Sequence, residues 1–347
     1  MPRIQDCDRF DAPEWMQDAI FYQIFPDRVC RIGAPDPGLQ PWGDKPTWYH
    51  VFGGNFAGIE SKIPHLVSLG VNAIYMTPIS LSPSCHRYDT TDYLAIDPRL
   101  GTEAEFKRLV DAFHQAGIRI VLDAVFNHCG SGFFAFQDVL KNQEKSVYKD
   151  WFLIDSFPIA MVKDKTYQTF ASEMHMPKLN SADPGLQDYL IKVGKHYIER
   201  FGIDGWRLDV ADEVDSIFWR RFRKELKELK PDLAIIGEVW HNSDYYLRGD
   251  QFDSVQNYQF FEIVGDYFLR RKTTLDTFRD RLTHLSVMYP ENVSKALLNQ
   301  IDSHDVPRAK TQAKNNVKWL KLAILFQFTY IGMPCVYYGS EIGMEGG

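Results

Sequence analysis

The sequence predicts an α/β protein built as a (β/α)8 TIM barrel with a small subdomain inserted after the third strand. Short β-branched or apolar runs alternate with longer amphipathic runs along the 347 residues, which is typical of βα units around a parallel sheet. We count eight of the short runs, the number that closes such a barrel. An aromatic-rich stretch of about sixty residues follows the third run and is too long for an ordinary βα loop.

The predicted strands have the composition of buried sheet residues and recur in order along the chain. They lie at 19–25, 71–79, 118–126, 205–210, 233–240, 252–257, 295–302 and 334–340. Two of the connecting helices are predicted at 103–117 and 188–202, where apolar residues recur at helical spacing and a glycine ends the run.

The strand positions divide the chain into four parts. We expect a lead-in at 1–18, the first part of the barrel at 19–128, the inserted subdomain at 129–182 and the second part of the barrel at 183–347. The sequence stops soon after the eighth strand, so we expect the last barrel helix to be missing through truncation. The insertion would form one wall of a site at the C-terminal ends of the strands.

Composition excludes several classes of partner. The net charge of −7 and the absence of a Lys/Arg run argue against nucleic acid and against an anionic membrane surface, so a neutral or polyhydroxylated partner fits better. The N-terminus has no apolar signal segment, and the longest apolar stretch, 320–334, is too short to span a membrane. Five scattered cysteines without a CxxC pair indicate reduced thiols. We therefore expect a cytoplasmic protein, whose oligomeric state the sequence leaves open.

The fourth predicted strand carries charge on a face that ought to be core. In "GWRLDVADE" (205–213), Arg207 and Asp209 are two residues apart and share one face of the strand, while Trp206 and Leu208 face the helices. The charged pair therefore points toward the barrel axis. Glu238 ends the fifth strand in the same way.

Other polar residues end neighbouring strands and should reach the same mouth of the barrel. Asp123, Asn127 and His128 belong to the third strand, and His304 and Asp305 follow the seventh. Buried carboxylates are costly unless they are paired or have a chemical role. A structural ion-pair network around Arg207 is one explanation, and a catalytic site is the other.

Glycoside cleavage needs two carboxyl groups in unlike environments, one ionised and one protonated. We expect Arg207 to lower the pKa of Asp209 and keep it charged. Glu238 has no cationic neighbour in sequence, and a poorly solvated position would raise its pKa. Asp209 would then be the ionised partner and Glu238 the proton donor.

These residues lie in motifs that resemble the alpha-amylase superfamily of glycoside hydrolases. "DAVFNH" (123–128), "GWRLDVADE" (205–213), "GEVW" (237–240) and "NQIDSHD" (299–305) resemble its four core motifs in order, which is far more specific than any one of them. "HRYDTTDY" (86–93) and "GMPCVYYGSEIG" (332–343) also look like family segments. "MPKLN" (176–180) resembles the motif of the neopullulanase, cyclomaltodextrinase and maltogenic amylase branch.

The resemblance implies roles for individual residues. Asp209 would be the nucleophile, Glu238 the general acid/base and Asp305 the third catalytic carboxylate, with retention of anomeric configuration. Further positions would contact the substrate: Arg207, His128, His304, His86, Tyr88, Trp240, Phe133 and Phe136. Trp240, Phe133 and Phe136 are candidates for sugar-stacking subsites, although simple packing explains such aromatics equally well.

Some features depart from the family pattern. Asp212 stands where this branch usually has Asn, and the branch's N-terminal and C-terminal β-sandwich domains are absent from the sequence. The segment 27–38 lacks the usual Asn and Asp ligands of a calcium site, and Asn55 replaces an expected Asp. Calcium needs several hard oxygen ligands, so we expect no required cofactor, no other metal site, and calcium at most in a degraded site.

The function that these residues predict is a retaining α-glucan hydrolase. It would cleave α-1,4 glucosidic bonds of maltodextrins, cyclodextrins or pullulan, with α-1,6 bonds as a further candidate linkage and an α-glucan oligosaccharide as its partner. One alternative is an amylase-like transglycosylase or isomerase, a choice that depends on water access and acceptor subsites. A non-catalytic carbohydrate-binding homologue is the other; it would be expected to have lost a carboxylate, whereas all three remain.

Overall fold

The computed structural model describes residues 12–34, 37–47, 49–162 and 165–346. The strands found there are β1 (Phe21–Ile24), β2 (Ala73–Met76), β3 (Ser80–Leu81), β4 (Asp92–Ile96), β5 (Arg119–Ala124), β6 (Gly205–Leu208), β7 (Ala234–Gly237), β8 (Ser254–Val255), β9 (Leu298–Gln300) and β10 (Met333–Tyr337). β3 and β4 form an antiparallel pair outside the main sheet.

The other eight strands form one parallel sheet in the order β8-β7-β6-β5-β2-β1-β10-β9. A parallel bridge between Gln256 and Leu298 joins its two edges, so the sheet closes into a barrel. Seven of these strands lie within predicted runs, and β10 begins one residue before its run, at Met333. The predicted fold class is confirmed. None of the helices in the described parts of the chain is long and apolar enough to cross a membrane.

The helices lie between successive strands. They are α1 (Pro26–Val29), α2 (Phe56–Glu60), α3 (Ile63–Ser68), α4 (Glu103–Gln115), α5 (Phe134–Asn142), α6 (Pro184–Phe201), α7 (Ser216–Leu229), α8 (Tyr258–Val264), α9 (Leu275–Met288), α10 (Glu291–Ser294), α11 (Ala309–Gln312) and α12 (Val317–Thr329). α4 and α6 occupy the two predicted helical stretches. A capping box between Thr102 and Glu105 starts α4, and the left-handed Gly202 ends α6.

The two-residue period of the strands separates two environments inside the barrel. Toward the start of the strands the inward side chains are apolar and include Phe21, Ala73, Val121 and Ile236. Two residues further along, the inward positions are polar: Gln23, Asp123, Arg207, Gln256, Gln300 and Glu238, all buried. Apolar side chains therefore fill the barrel at one end, and hydrogen-bonding groups line it at the other.

The segment between β5 and α6 contains α5 and little other regular structure. Isolated antiparallel bridges cross it, and one of them, between His128 and Lys178, ties its far end to the end of β5. Phe133, Trp151 and Tyr189 pack ring against ring, so the segment is anchored to α6 by an aromatic cluster. It lies beside the polar end of the barrel.

Candidate active site

The guanidinium of Arg207 is the centre of the polar end of the barrel. Its side chain is 1% exposed, and β6 directs it inward. Nη1 lies 3.0 Å from both oxygens of Asp123 and 2.8 Å from Oδ1 of Asp209, and Nη2 lies 2.8 Å from Oε2 of Glu238. One cation thus holds three carboxylates from three adjacent strands.

Glu238 accepts hydrogen bonds from more donors than Asp209 does. Oε2 accepts from the backbone N–H of Val210 at 2.9 Å, and Oε1 accepts from Trp240 Nε1 at 3.1 Å and from the Tyr258 hydroxyl at 3.3 Å. Burial by itself would raise the pKa of Glu238, but the Arg207 cation and then the Val210 N–H outweigh it and lower that pKa.

Val210 adopts a backbone conformation that β-branched residues rarely take. Its φ of 45° and ψ of 47° lie in the left-handed region, which is strained for valine. This turn directs its N–H toward Glu238, so the local strain serves the binding of the carboxylate.

The negative charge of Asp209 is less well stabilised than that of Glu238. Burial is the largest influence and raises its pKa well above the ordinary value, and repulsion from Glu238 and Asp123 adds to that effect despite the Arg207 cation. The pKa directions of the two groups are therefore the reverse of the expected division of charge. Glu238 is the better stabilised anion because Arg207 and Val210 reach it across the sheet, which its local sequence does not reveal.

Asp305 lies at the rim beside these groups. Its side chain keeps 32% exposure, yet loss of hydration among neighbouring protein groups and repulsion from Glu238 raise its pKa to about 7. The protein thus brings a fourth carboxyl group near a single cation. Such crowding makes it costly to ionise all four groups together.

His304 connects Asp305 to the deeper polar layer. Gln23 Nε2 donates to its Nδ1 at 2.7 Å, which leaves the proton of the neutral ring on Nε2, 2.5 Å from the Tyr88 hydroxyl. That hydroxyl donates to Asp123 at 2.8 Å. Burial and the Arg207 cation lower the pKa of His304 to about 4, so the ring is neutral at pH 7.

The loop between β3 and β4 carries two more predicted residues to the site. The rings of Tyr88 and His304 are parallel, with centroids 5.4 Å apart and an interplanar angle of 7°. His86 lies next to Tyr88, whose backbone N–H donates to Nδ1 of that histidine at 3.1 Å. Arg87 lies between them with φ of 64°, and its buried guanidinium binds Asp97 at 2.6 Å.

His128 closes the site on the side of the inserted segment. Its ring stacks on Phe170 at 4.5 Å, and burial lowers its pKa to about 3. Its Nε2 has no hydrogen-bond partner in the described parts of the chain. The neutral ring is 0% exposed, so its Nε2 becomes available to a ligand hydroxyl only when neighbouring groups move.

Comparison of the sequence with known protein families agrees with this geometry. The sequence matches the alpha-amylase catalytic-domain family over residues 23–347. The chain belongs to the alpha-amylase family.

Three relatives illustrate its position in the alpha-amylase family. Cyclomaltodextrinase of Bacillus sp is 49% identical over 350 residues, which cover 100% of this chain and 63% of that protein. Intracellular maltogenic amylase of Bacillus subtilis is 44% identical over 348 residues, covering 99% of this chain and 59% of that protein. The chain therefore spans less than two thirds of the length of these curated relatives.

The third is a solved structure. Cyclic alpha-maltosyl-(1→6)-maltose hydrolase from Arthrobacter globiformis, in complex with cyclic alpha-maltosyl-(1→6)-maltose, superimposes on this chain with a TM-score of 0.94. It is 37% identical, and the match covers 97% of this chain and 76% of that one. Fold and sequence therefore agree on the alpha-amylase barrel.

The structure corrects two of the predicted sugar-stacking residues. Phe133 and Phe136 are both 0% exposed, because they fill the aromatic core of the inserted segment. Phe136 packs between Phe152 and Tyr167, at 5.1 Å from each ring centroid. Their faces are covered by protein, so neither can form a sugar platform in this structure.

Trp240 has the opposite environment. Its side chain is 49% exposed at the rim, and its ring stacks on Tyr258 with centroids 3.7 Å apart. Both residues bind Glu238 and also line a groove of about 470 Å³ that runs outward between α8 and α9. Gln259, Glu262, Ile263, Asp280, Arg281 and His284 complete the lining of this groove. Two of its lining residues therefore contact the carboxyl group of Glu238.

Several buried polar residues at this end of the barrel were not predicted as site residues. Tyr75 donates to Asp123 at 2.7 Å, Tyr258 binds Glu238, and Gln256 accepts from Arg207 Nε at 3.0 Å. The available signal was the strand period, since Gln256 lies two residues after the inward-facing Ser254. A glutamine or tyrosine alone is too common in strands to draw attention.

No group of three or more His, Cys, Asp or Glu side chains in the described residues is arranged to hold a metal ion. Asn55, at the position of the expected calcium-site residue, instead caps α2 by accepting from Gly58 N at 2.8 Å and donates to the carbonyl of Ile32.

Proposed function

We propose that the chain is the catalytic barrel of a retaining α-glucan hydrolase that acts on maltodextrins, cyclodextrins or pullulan. The observation that carries the proposal is the pair Asp209 and Glu238, which bind the two terminal nitrogens of one guanidinium, each at 2.8 Å. A shared cation keeps two carboxyl groups close together, as a covalent double displacement requires at a separation of about 5 to 5.5 Å. The outward groove beside them gives room for a sugar chain.

In the first chemical step, Asp209 attacks the anomeric carbon and forms a covalent glycosyl-enzyme. Glu238 gives its proton to the glycosidic oxygen, so the bond to the leaving sugar breaks without releasing an alkoxide. In the second step Glu238 takes a proton from water, which attacks the same carbon and releases Asp209. Two inversions at one carbon give net retention.

The mechanism requires Asp209 to be ionised and Glu238 to be protonated when substrate is bound. In the free enzyme the pKa of Asp209 is raised and that of Glu238 is lowered, which is the reverse of what attack requires. A glycosidic oxygen beside Glu238 favours the protonated carboxyl, which can donate to it. The Arg207 cation, 2.8 Å from Asp209, then stabilises the nucleophilic anion.

The remaining residues would hold the sugar that undergoes cleavage. Asp305 at the rim would bind its hydroxyls and stabilise the positive charge that develops on the ring. The neutral His304 and His128, with His86 beside them, would exchange hydrogen bonds with further hydroxyls. Tyr88 would contact the sugar face, and Trp240 would support the leaving-group sugars as they enter the groove of about 470 Å³.

The relatives suggest the substrate class. The Arthrobacter structure contains a cyclic maltosyl ligand with an α-1,6 linkage, and the Bacillus relative is named a cyclomaltodextrinase. We extend α-1,4 and α-1,6 cleavage of such glucans to this chain. No cofactor is needed for this mechanism, because two carboxyl groups supply the nucleophile and the acid/base. The name of the Bacillus subtilis relative includes the word intracellular, which supports a cytoplasmic location.

The test is turnover of β-cyclodextrin, pullulan and starch, with products separated by chromatography and the first anomer identified by ¹H NMR. The proposal predicts maltooligosaccharide products that appear first as the α-anomer. Predominant transfer to added maltose would favour a transglycosylase instead. Binding of β-cyclodextrin without turnover of any glucan would favour a non-catalytic carbohydrate-binding protein.

A further inference from the structure

The Arg207 guanidinium has a fourth partner, Gln256, that no proposed catalytic role accounts for. Its Nε lies 3.0 Å from Oε1 of Gln256, at the end of β8, and both side chains are at most 1% exposed. Gln256 Nε2 in turn donates to Oε1 of Gln300 at 2.9 Å. A chain of two amides from two strands therefore ends at the base of the cation.

We propose that Gln256 is a positioning residue that sets the orientation of the Arg207 guanidinium between Asp209 and Glu238. The group is planar, so a hydrogen bond at Nε fixes the directions in which Nη1 and Nη2 point. Those two nitrogens bind the two carboxyl groups that exchange protonation states in the proposed mechanism. The inference rests on that proposed function for its kinetic consequence.

The neutrality of the amide matters as much as its position. Three carboxylates, those of Asp123, Asp209 and Glu238, already share the single charge of Arg207. A fourth anion at Nε would compete with the catalytic pair for that charge and raise both of their pKa values. Gln256 supplies an acceptor without adding charge.

The first test is Gln256→Met, which keeps the length of the side chain and removes the acceptor. We expect kcat on β-cyclodextrin to fall about 10- to 100-fold, the range for losing a hydrogen bond to a charged group, with KM within about twofold. The control is Gln327→Met on α12. That glutamine is also 2% exposed and doubly bonded, to the carbonyls of Asn299 and Cys335, but lies away from the site.

The second variant, Gln256→Glu, keeps an acceptor at Nε and adds a negative charge. Both limbs of the pH profile of kcat/KM should then move to higher pH, because ionisation of Asp209 and deprotonation of Glu238 both become harder. A purely structural role would change stability and leave the profile in place. Gln327→Met should lower thermal stability without moving either limb.

A spectroscopic measurement separates this inference from the proposed reaction. In arginine-labelled protein, Arg207 Nε–H should give a slowly exchanging ¹⁵N–¹H resonance, assigned by its loss in Arg207→Lys. Its exchange should accelerate at least tenfold in Gln256→Met and stay slow in Gln327→Met, whether or not a glucan is turned over. An unchanged resonance in Gln256→Met, or wild-type kcat together with an unmoved pH profile in Gln256→Glu, would overturn the inference.

Discussion

Arg207 and Glu238 form a direct ion pair, with Nη2 and Oε2 2.8 Å apart and both side chains at most 7% exposed. The contact runs between neighbouring strands, β6 and β7, and makes Glu238 the better stabilised anion of the substrate-free site. In the proposed mechanism, Glu238 must lose part of its contact with this cation before it acts as an acid. The proposed mechanism therefore couples the charge distribution of the site to substrate binding.

Replacing Arg207 by lysine should disable the site even though a positive charge remains. A single ammonium group cannot reach Asp209, Glu238 and Gln256 in the geometry of the planar guanidinium. We expect kcat to fall by at least about 100-fold, a loss of about 3 kcal/mol of transition-state stabilisation, together with a lower Tm. Arg108→Lys, at a 54% exposed position paired with Glu60, is the control and should leave both quantities unchanged. Wild-type kcat in Arg207→Lys would contradict the central role of the guanidinium.

Asp305 should make the stability of the protein depend on pH. Its pKa of about 7 in the folded protein exceeds its ordinary value, so the folded state binds the proton more tightly than the unfolded state does. Its contribution to stability is therefore present at low pH and is lost as the pH rises from about 4 to about 7. Asp305→Asn, which cannot ionise, should match the wild type near pH 4 and have the higher Tm at pH 8, as measured by calorimetry. A lower Tm for this variant at pH 8 would refute the prediction.

Asp204 should show the opposite dependence at the other end of the barrel. Burial opposes its ionisation, but hydrogen bonds from His114 at 2.7 Å and Lys230 at 2.8 Å outweigh burial and lower its pKa. Its stabilising contribution is thus present above about pH 4 and is lost as the pH falls below that value. Asp204→Asn should lower Tm at pH 7 and do so less at pH 3. Asp232→Asn, 51% exposed and 3.3 Å from Arg119, should change Tm little at either pH.

Phe133 and Trp240 should respond differently to removal of the ring. Phe133→Ala empties a fully buried position and should cost about 3 to 5 kcal/mol of stability, while KM of the folded enzyme stays the same. Trp240→Ala removes an exposed platform and should raise KM for long maltooligosaccharides several-fold more than for maltotriose, with little loss of stability. Steady-state kinetics and urea unfolding of both variants test this contrast. A length-dependent KM in Phe133→Ala would restore its predicted subsite role.

Much of the fold could be read from the sequence because a parallel barrel gives a strong local signal. Each buried strand is a short apolar run between helical stretches, and all eight overlap the predicted runs. The inward direction of Arg207 and Asp209 also followed from the two-residue period alone. The same reasoning placed the ends of the third, fourth, fifth and seventh strands at one mouth.

The electrostatics could not be read in this way, because they depend on contacts between strands. Glu238 has no cationic neighbour in sequence, yet Arg207 reaches it from β6 and Val210 donates to it through a strained backbone. The roles of aromatic residues were also hard to predict from the sequence. Phe133 and Trp240 look alike as candidates in the sequence, and only packing distinguishes a core ring from an exposed one. Gln256 was missed because its importance lies in one partner on another strand.

The most direct test of the central claim is mass spectrometry of the protein after reaction with 5-fluoro-α-glucosyl fluoride, which slows hydrolysis of a glycosyl-enzyme more than its formation. The account predicts one added fluoroglucosyl group, located on the peptide that contains Asp209. It also predicts that Asp209→Asn gives no adduct. An adduct on Glu238, on Asp305 or outside the barrel mouth, or rapid turnover by Asp209→Asn, would contradict the account.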